Sequence, residues 1–378
     1  MKIGLIVPTS MLFPTAGLQF SEGMALAKKS FGTATDEIVL EGAGTCTDVD
    51  EVQKAANKLL LQERVDVIVA YVGHNMYSTL SDICNEYKKV LILADMGGVV
   101  AYTASQSPYV FMHSFNEWAT TYNLGKRNEG NSHPIVSMSL MEAGYSLGYT
   151  FVKGLEASGV DVKAFVMSKL DIDQEFFDKV TSFLKEDKPD LFYCGFTGKD
   201  ADVLLEGVGK ELVASGTTIA GSGWLTLPST LKKYGNSMVG AQTASAYYTT
   251  IKNEANQKFL KDFEEETENE GDRFALLGYE IGMMLFRAAV YNDSGKLMSK
   301  KTAESLEQTE IDSPRGKVSY HPTEHYTIAG CWFAEVKEEN GNYFNEITDH
   351  IDKVDMEVWR TDENNWPNGG WFNPYPCT

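Results

Sequence analysis

The chain is short of positive charge, short of cysteine and without a long hydrophobic run. Among 378 residues, 33 Lys and Arg face 53 Asp and Glu, a formal net charge of −20. An acidic surface of that kind repels the phosphates of nucleic acid, so no nucleic-acid partner is expected. The longest apolar runs, residues 67–70 and 90–94, fall far below the ~20 residues a membrane helix requires, which excludes direct membrane insertion. The five cysteines form no CxxC pair and no metal-ligand spacing. Their odd number leaves at least one thiol over, and Cys331 with Cys377 is the pair that would staple the tail in an oxidising compartment. There is no GxxxxGK[ST] loop, no repeat of 20 to 50 residues and no low-complexity tract. The compartment stays open: Met1 runs directly into Lys2-Ile3-Gly4-Leu5-Ile6-Val7, as it would in a mature exported protein and equally in a cytoplasmic one.

What the chain does contain is 43% hydrophobic residues, enough for two or three cores, arranged in two similar series. Residues 3–7, 65–70 and 90–94 read as buried strands, with helices over 20–29, 52–60 and 79–87 between them. Val52, Ala55, Ala56, Leu59 and Leu60 form one apolar helix face. After the polar stretch 125–132 the alternation restarts. Strands fall at 134–140, 160–167, 190–196, 217–221 and, longer, 238–247; helices fall at 145–158, 173–186 and 201–214. Strands alternating with helices imply parallel sheets, and two such units stand in tandem. Three helices then follow without strands, over 256–268, 274–291 and 300–309. Their apolar faces need a sheet to cover, so the chain is expected to return to the first unit. Residues 317–320 and 327–336 read as strands, and the last forty residues show no period. The tail from 366 onward reads as a loop packed through Trp366, Trp371 and Phe372.

Three segments match catalytic patterns and each fits poorly. Gly144-Tyr145-Ser146-Leu147-Gly148 has the GxSxG form of a nucleophile elbow, but Met141-Glu142-Ala143 separate it from the preceding strand, where an elbow must turn at the glycine itself. His321-Pro322-Thr323-Glu324-His325 has the HxxEH form, yet Pro322 makes it a turn rather than the helix that zinc binding needs. Gly42-Ala43-Gly44 lacks the third glycine of a dinucleotide fingerprint. No catalytic residue, metal ligand or cofactor is therefore expected.

A geometric argument remains. In open parallel sheets, ligands bind beyond the carboxyl ends of the strands, and two such sheets facing each other enclose a cleft. Those ends carry His74, Asn75, Met76, Asp95, Met96, Gly97 and Glu117 in the first unit, and Tyr145, Phe196, Gly223 and Trp224 in the second. Aromatic faces with a few polar groups are the usual makeup of a small-molecule pocket.

The order of these elements resembles the type I periplasmic solute-binding proteins, in their Leu/Ile/Val-binding branch. The resemblance runs from about residue 2 to 335. It is carried by the opening strand 2–8 with helix entry 17–27, by Val67-Ile68-Val69-Ala70 before Ser78-Thr79-Leu80-Ser81-Asp82-Ile83, and by residues 90–94. Further carriers are Ala143-Gly144-Tyr145-Ser146-Leu147-Gly148, Asp190-Leu191-Phe192-Tyr193 and Gly316-Lys317-Val318-Ser319-Tyr320. The resemblance implies an α/β fold of two Rossmann-like lobes, with parallel sheets flanked by helices and a three-strand hinge. It divides the chain into 1–116 plus 250–326 and 117–249 plus 327–378, with crossovers near 116–118, 247–250 and 325–328. It also implies ligand contacts at His74, Asn75, Asp95, Met96, Gly97, Glu117, Tyr145, Phe196, Gly223 and Trp224. In relatives the first crossover acid, here Glu117, takes an amino group, and Gly223-Trp224 stand where relatives place another amine-binding acid. The small hydroxyl residues that grip an α-carboxylate are missing at 74 and 97, and Asp95 would repel an anion. A ligand with an amine or hydroxyls and a flat apolar part suits these side chains better.

The expected function is solute capture by hinge closure and presentation of the closed form to the membrane subunits of an ABC permease. The expected location is periplasmic or extracellular, with cytoplasmic as the alternative. Two other readings are a ligand-sensing regulatory module of the same fold and a serine hydrolase acting through Ser146.

Overall fold

A computed structural model describes residues 1–10, 13–98, 107–139, 144–169, 171–356 and 358, without the side chains of Gly144 and Tyr145. The first lobe is built on β1 (Lys2–Val7), β2 (Glu37–Gly42), β3 (Val67–Tyr71), β4 (Val90–Asp95) and β5 (Val110–Ser114), in the order β2-β1-β3-β4-β5. All its strand pairs are parallel. Strands β3, β4 and β5 are apolar along nearly their whole length because helices cover both faces of the sheet. These helices include α1 (Ala16–Phe31), α2 (Val49–Asn57) and α3 (Tyr77–Tyr87). Asp48 caps α2 by accepting the Glu51 N–H, and Val52, Ala55, Ala56, Leu59 and Leu60 are buried as their spacing requires.

The second lobe repeats the topology. Strands β6 (Pro134–Met138), β7 (Ala164–Met167), β8 (Leu191–Gly195), β9 (Thr218–Ser222) and β10 (Gln242–Ser245) lie in the order β7-β6-β8-β9-β10. Its helices are α4 (Glu117–Arg127), α5 (Gly144–Ala157), α6 (Gln174–Ser182), α7 (Gly198–Ser215) and α8 (Pro228–Tyr234). The late helices α9 (Glu254–Thr267), α10 (Arg273–Ala288) and α11 (Ser299–Leu306) return to the first lobe. The union of α1 with α10 is backbone to backbone. A Cβ on Gly23 would stand 1.9 Å from the Ala275 carbonyl oxygen, and one on Gly278 would stand 2.0 Å from that of Phe20. Only glycine permits such an approach.

Four strand expectations need correction. Residues 238–247 yield only the four-residue β10, since Gly240 adopts φ +84° and turns the chain just before it. Residues 327–336 divide into β13 (Thr327–Ile328) and β14 (Cys331–Glu339). The break falls at Gly330, where a Cβ would meet the Ile351 carbonyl oxygen at 2.3 Å. The region read as aperiodic contains β15 (Asn342–Ile351), which pairs antiparallel with β14 and extends the second sheet past β10. Finally, β2 and β5 lie in segments for which no strand was expected. Strand β2 is a half-exposed edge, which blurs its pattern. The expected Cys331–Cys377 bridge and the packing of Trp366, Trp371 and Phe372 lie outside the described residues; Cys331 itself is buried.

The short third sheet, β11 (Glu310–Ser313), β12 (Gly316–Tyr320) and β13, flanks the first lobe and supplies a buried ion cluster. Glu280 on α10 accepts from Arg315 Nε at 2.8 Å and Nη2 at 2.9 Å, bonds His113 Nε2 at 2.9 Å, and accepts from the Ser313 hydroxyl. His113 Nδ1 reaches the Tyr320 hydroxyl at 2.9 Å. Burial works to raise the Glu280 carboxyl, but Arg315 and His113 outweigh it and hold it at about 2. A native value below the ordinary 4.5 means that the unfolded chain takes up this proton first. The stability it confers is complete above the ordinary value and disappears as pH falls through about 2. Glu280→Gln should therefore destabilise the protein at neutral pH by about 3–5 kcal/mol, because Arg315 is left buried and unpaired. Urea unfolding as a function of pH should show the gap between wild type and variant narrowing from about 4.5 downward. Asp272, which burial pushes up to about 6, acts with the opposite sign in both proteins and cancels in that difference.

Candidate functional site

The chain leaves the first sheet from the carboxyl end of β5 and the second from the carboxyl end of β10, so both carboxyl edges lie on the crossover side. Direct contact shows that they face each other. Phe13, on the loop after β1, packs its ring 5.1 Å from that of Trp224, on the loop after β9.

On the first lobe, β3 runs into a 3-10 turn at His74–Met76. His74 is half-buried and its pKa is lowered by burial, which favours the neutral imidazole. Asn75 is exposed and donates to the Thr47 carbonyl at 3.2 Å, whereas Met76 is buried. Asp95 ends β4. The Tyr77 hydroxyl donates to its Oδ2, while Oδ1 is buried without a hydrogen bond. Burial pushes the Asp95 carboxyl up, against the pull of the Ser114 and Tyr77 hydroxyls and the Gly97 N–H. Met96 and Gly97 serve through their backbone: their carbonyls accept from Glu117 N at 3.2 Å and Trp118 N at 2.8 Å. Gly97 has φ +72°, and a Cβ there would lie 2.4 Å from Asn116 N, so this loop rests directly on the first crossover.

The three crossovers are tied to one another. Asn116 Nδ2 donates to the Thr327 carbonyl at 3.1 Å, and Thr327 Oγ1 accepts from Ser114 N at 2.9 Å, joining the first to the third. Glu117 joins the first to the second: its Oε1 accepts from Ser245 Oγ at 2.7 Å and Ala246 N at 3.3 Å, and its Oε2 accepts from Thr120 Oγ1 at 3.1 Å. Arg273, at the head of α10, places Nη1 3.7 Å from Glu117 Oε1 and donates through Nη2 to the Gly223 carbonyl at 3.3 Å. Its guanidinium stands 4.0 Å over the Trp224 ring.

Two of the expected ligand contacts are fully buried. Glu117 is fully buried, and its oxygens accept from Thr120, Ser245 and Ala246. Burial pushes its carboxyl up, partly offset by Arg273 and the three donors. Phe196 is also fully buried and packs on Phe176 at 5.7 Å within the second-lobe core, not at its edge. Trp224 sits at the junction of the lobes, packed against Phe13, Phe274 and Arg273. Gly223 is fixed there by donating its N–H to the Ala244 carbonyl at 2.8 Å. Tyr145 lies in the first turn of α5, and its side chain is outside the described residues.

Sequence reasoning passed over Phe13, Arg273 and Phe274. The one signal for Arg273 was a lone cation opening an otherwise apolar helix. The three catalytic patterns take other roles or shapes. Ser146 stands within α5, eight residues after β6 ends rather than at a strand-to-helix corner. His325 has φ +59° in a turn and directs its ring nitrogens to the Val110 carbonyl at 3.0 Å and to Glu307 at 3.2 Å. Among the described residues no helix is long and apolar enough to cross a membrane.

Two doubly wound lobes with apposed carboxyl edges and linked crossovers define a binding protein of the two-lobed α/β class. The sequence model of the family described as "Periplasmic binding protein" matches residues 1–342, and the chain belongs to that family. Among its relatives is the Leu/Ile/Val-binding protein homolog 6 of Brucella suis, 24% identical over 370 residues, covering 93% of this chain and 92% of that protein. Similar solved structures include a solute-binding protein of an ABC transporter from Rhodopseudomonas palustris BisB5 in complex with 3,4-dihydroxybenzoic acid. It has TM-score 0.76 and 20% identity, covering 94% of this chain and 98% of that one. An ABC transporter substrate-binding protein from Sphaerobacter thermophilus reaches TM-score 0.80 at 18% identity, covering 94% and 98%. At these identities the likeness is one of fold. The family and these neighbours are binding proteins.

If Glu117 is a clasp, its variants should be ranked by what they leave buried. Glu117→Gln keeps an oxygen to accept from Ser245 and Ala246 and should cost about 1–2 kcal/mol. Glu117→Ala strands Arg273 and should cost about 3–5 kcal/mol. Chemical denaturation of the two variants checks this order, and equal losses would contradict it.

Proposed function

We propose that the protein is the receptor of an ABC-type importer. In this reading it captures a small polar or amine-bearing solute between the carboxyl edges of its two sheets and closes about the three crossovers, which divide it near residues 116–118, 247–250 and 325–328. The closed form is then presented to the permease subunits, outside the cytoplasmic membrane. No bond is made or broken, since shared contacts from two lobes are enough to shift an open-to-closed equilibrium.

One observation supports this reading most. Buried side-chain polar atoms without a hydrogen bond gather at the strand ends: Asp95 Oδ1 after β4, Ser168 Oγ after β7, Thr197 Oγ1 after β8 and Trp224 Nε1 after β9. Buried polar groups are nearly always paired in folded proteins, so a set of this kind along two apposed edges is suited to a guest that pairs with it. Asp95 gives the set a carboxylate and favours a donor-rich ligand over an anion. His74, Asn75, Asp95, the 96–97 backbone, Tyr145 and Trp224 are retained as the contact set, with Phe13 and Phe274 added. The names of relatives point the same way as to size: Leu/Ile/Val-binding homologues, and neighbours in complex with 4-hydroxybenzoate or named for amino-acid transport.

A thermal-shift screen of amino acids, amides, polyamines, aromatic acids and sugars tests the reading. A true ligand at 100 times its Kd should stabilise by about 2.7 kcal/mol. For an amine-bearing hit, Asp95→Asn should weaken binding about tenfold or more, equivalent to about 1.4 kcal/mol. Wild-type affinity should also fall as pH drops through the raised Asp95 titration. Small-angle scattering with the hit should show compaction; an unchanged envelope with ligand bound would count against closure.

A further inference from the structure

Arg273 stands where helix physics disfavours it. It is the first residue of α10, and a helix N-terminus carries partial positive charge that repels a cation. Its side chain is also buried, only 8% exposed. A desolvated cation in such a place needs acceptors. The adjacent carboxylate, Asp272, is engaged in capping α10, accepting from the Phe274 and Ala275 N–H groups at 2.8 and 3.0 Å. Arg273 reaches across to the second lobe instead: to the Gly223 carbonyl by a hydrogen bond, to the Trp224 ring face, and to Glu117 by charge at 3.7 Å.

Both ends of this contact are rigid. The backbone lock of α10 on α1 through Gly23 and Gly278 makes Arg273 move with the first lobe. On the other side, Gly223 donates its N–H to the Ala244 carbonyl, and a Cβ on it would stand 2.5 Å from that of Ser245, so Gly223 and Trp224 move with the second sheet. Phe13 and Phe274, 5.5 Å apart, complete a ring cluster around Trp224. All these contacts join protein to protein. They contribute free energy to one relative arrangement of the lobes and are lost in any other, which is the differential that shifts a two-state equilibrium.

We infer that Arg273 is a positioning residue: a latch carried by the first lobe that clasps the second at Gly223, Trp224 and Glu117 and sets how much closed form exists before a solute arrives. This role rests on the closure proposed above but requires no contact between Arg273 and the solute. Apparent affinity scales with the populated fraction of the binding-competent form, so the latch tunes affinity through a residue that touches no solute.

Electron spin labels at Leu61→Cys and Val213→Cys, exposed positions on the first and second lobes, read the lobe separation in the full chain with no solute added. Cys377→Ser removes a competing thiol, and Cys46, Cys84, Cys194 and Cys331 are buried. Arg273→Met should raise the ratio of open to closed populations about tenfold, as expected for loss of a desolvated cation–π contact together with a charged hydrogen bond. Small-angle scattering of the unlabelled variant should show a larger radius of gyration. Arg273→Glu, which repels Glu117, should shift the populations further, and Arg273→Lys, which keeps the charge without the planar stack, should fall between Met and wild type. A residue that served only α10 would give the opposite result for Glu, because the helix N-terminus favours an acid. Circular dichroism checks that each variant folds; where Met or Glu does not, Lys indistinguishable from wild type overturns the latch. Populations and radius unchanged in folded Met and Glu variants also overturn it, and they leave solute capture standing. Closure itself fails only if wild type stays rigid with a verified solute bound.

Discussion

The arrangement depends on a buried carboxylate. Glu117 opens α4 where the chain first passes between lobes, and besides Thr120 its partners come from far away in sequence: Ser245 and Ala246 from the second crossover and Arg273 from α10. Taking a carboxylate out of water costs several kcal/mol, and only a full complement of donors offsets that. Those donors therefore fix where the crossovers sit. With Asn116 and Thr327 tying the third crossover to the first, the lobes are joined by a strap of three segments bonded through the first instead of three independent tethers. Motion about such a strap is confined to bending it as a unit, which is the kind of motion the proposed closure needs.

A second buried charge lies just upstream. His113 and Ser114 end β5, and Arg315 reaches both the Ser114 carbonyl, at 3.4 Å, and the Glu280 carboxylate. The stretch from His113 to Glu117 is thus held from the first-lobe side by Glu280 and Arg315 and from the second-crossover side by Ser245. Apolar packing resists separation but tolerates sliding, whereas bidentate charged hydrogen bonds fix angle as well as distance. Charged groups stand here because the pivot requires a defined geometry, and the price is a dependence on pH that an apolar pivot would lack.

Most of the scaffold could be read in the sequence because it is set by local pattern. Strands β1, β3 and β4 are short continuous apolar runs, α2 shows its face in five residues, and the strandless helices after residue 253 had to find a sheet to cover. Where the pattern failed, it failed for physical causes. Strand β2 is a half-exposed edge, β10 is cut short by a glycine turn, and β15 is a ribbon beyond the lobe core with much of its surface in water. The site was legible only as a set of positions. Topology places Glu117 and Phe196 at strand ends, but whether a strand-end side chain faces the cleft depends on partners far away in sequence. Ser245 lies 128 residues from Glu117, and no local periodicity carries that information.

The same distance effect bears on which solute the cleft would choose. On the second lobe, Trp224 carries the Arg273 guanidinium over its ring, and Arg273 is bonded to the preceding carbonyl. An ammonium brought there would meet a cation, and Glu117 on the first crossover already accepts from Ser245 and Ala246. The remaining carboxylate at the strand ends is Asp95, on the opposite lobe, with one oxygen unpaired. In the proposed reading, the strand-end position that receives positive charge is therefore on the first lobe. A solute that carries its ammonium at one end and its flat apolar body at the other would then point its ammonium toward the first lobe. A carboxylate at its amine-bearing end would be repelled by an ionised Asp95, so in the proposed reading the charge state of that one side chain sets whether the cleft tolerates an acid beside the amine.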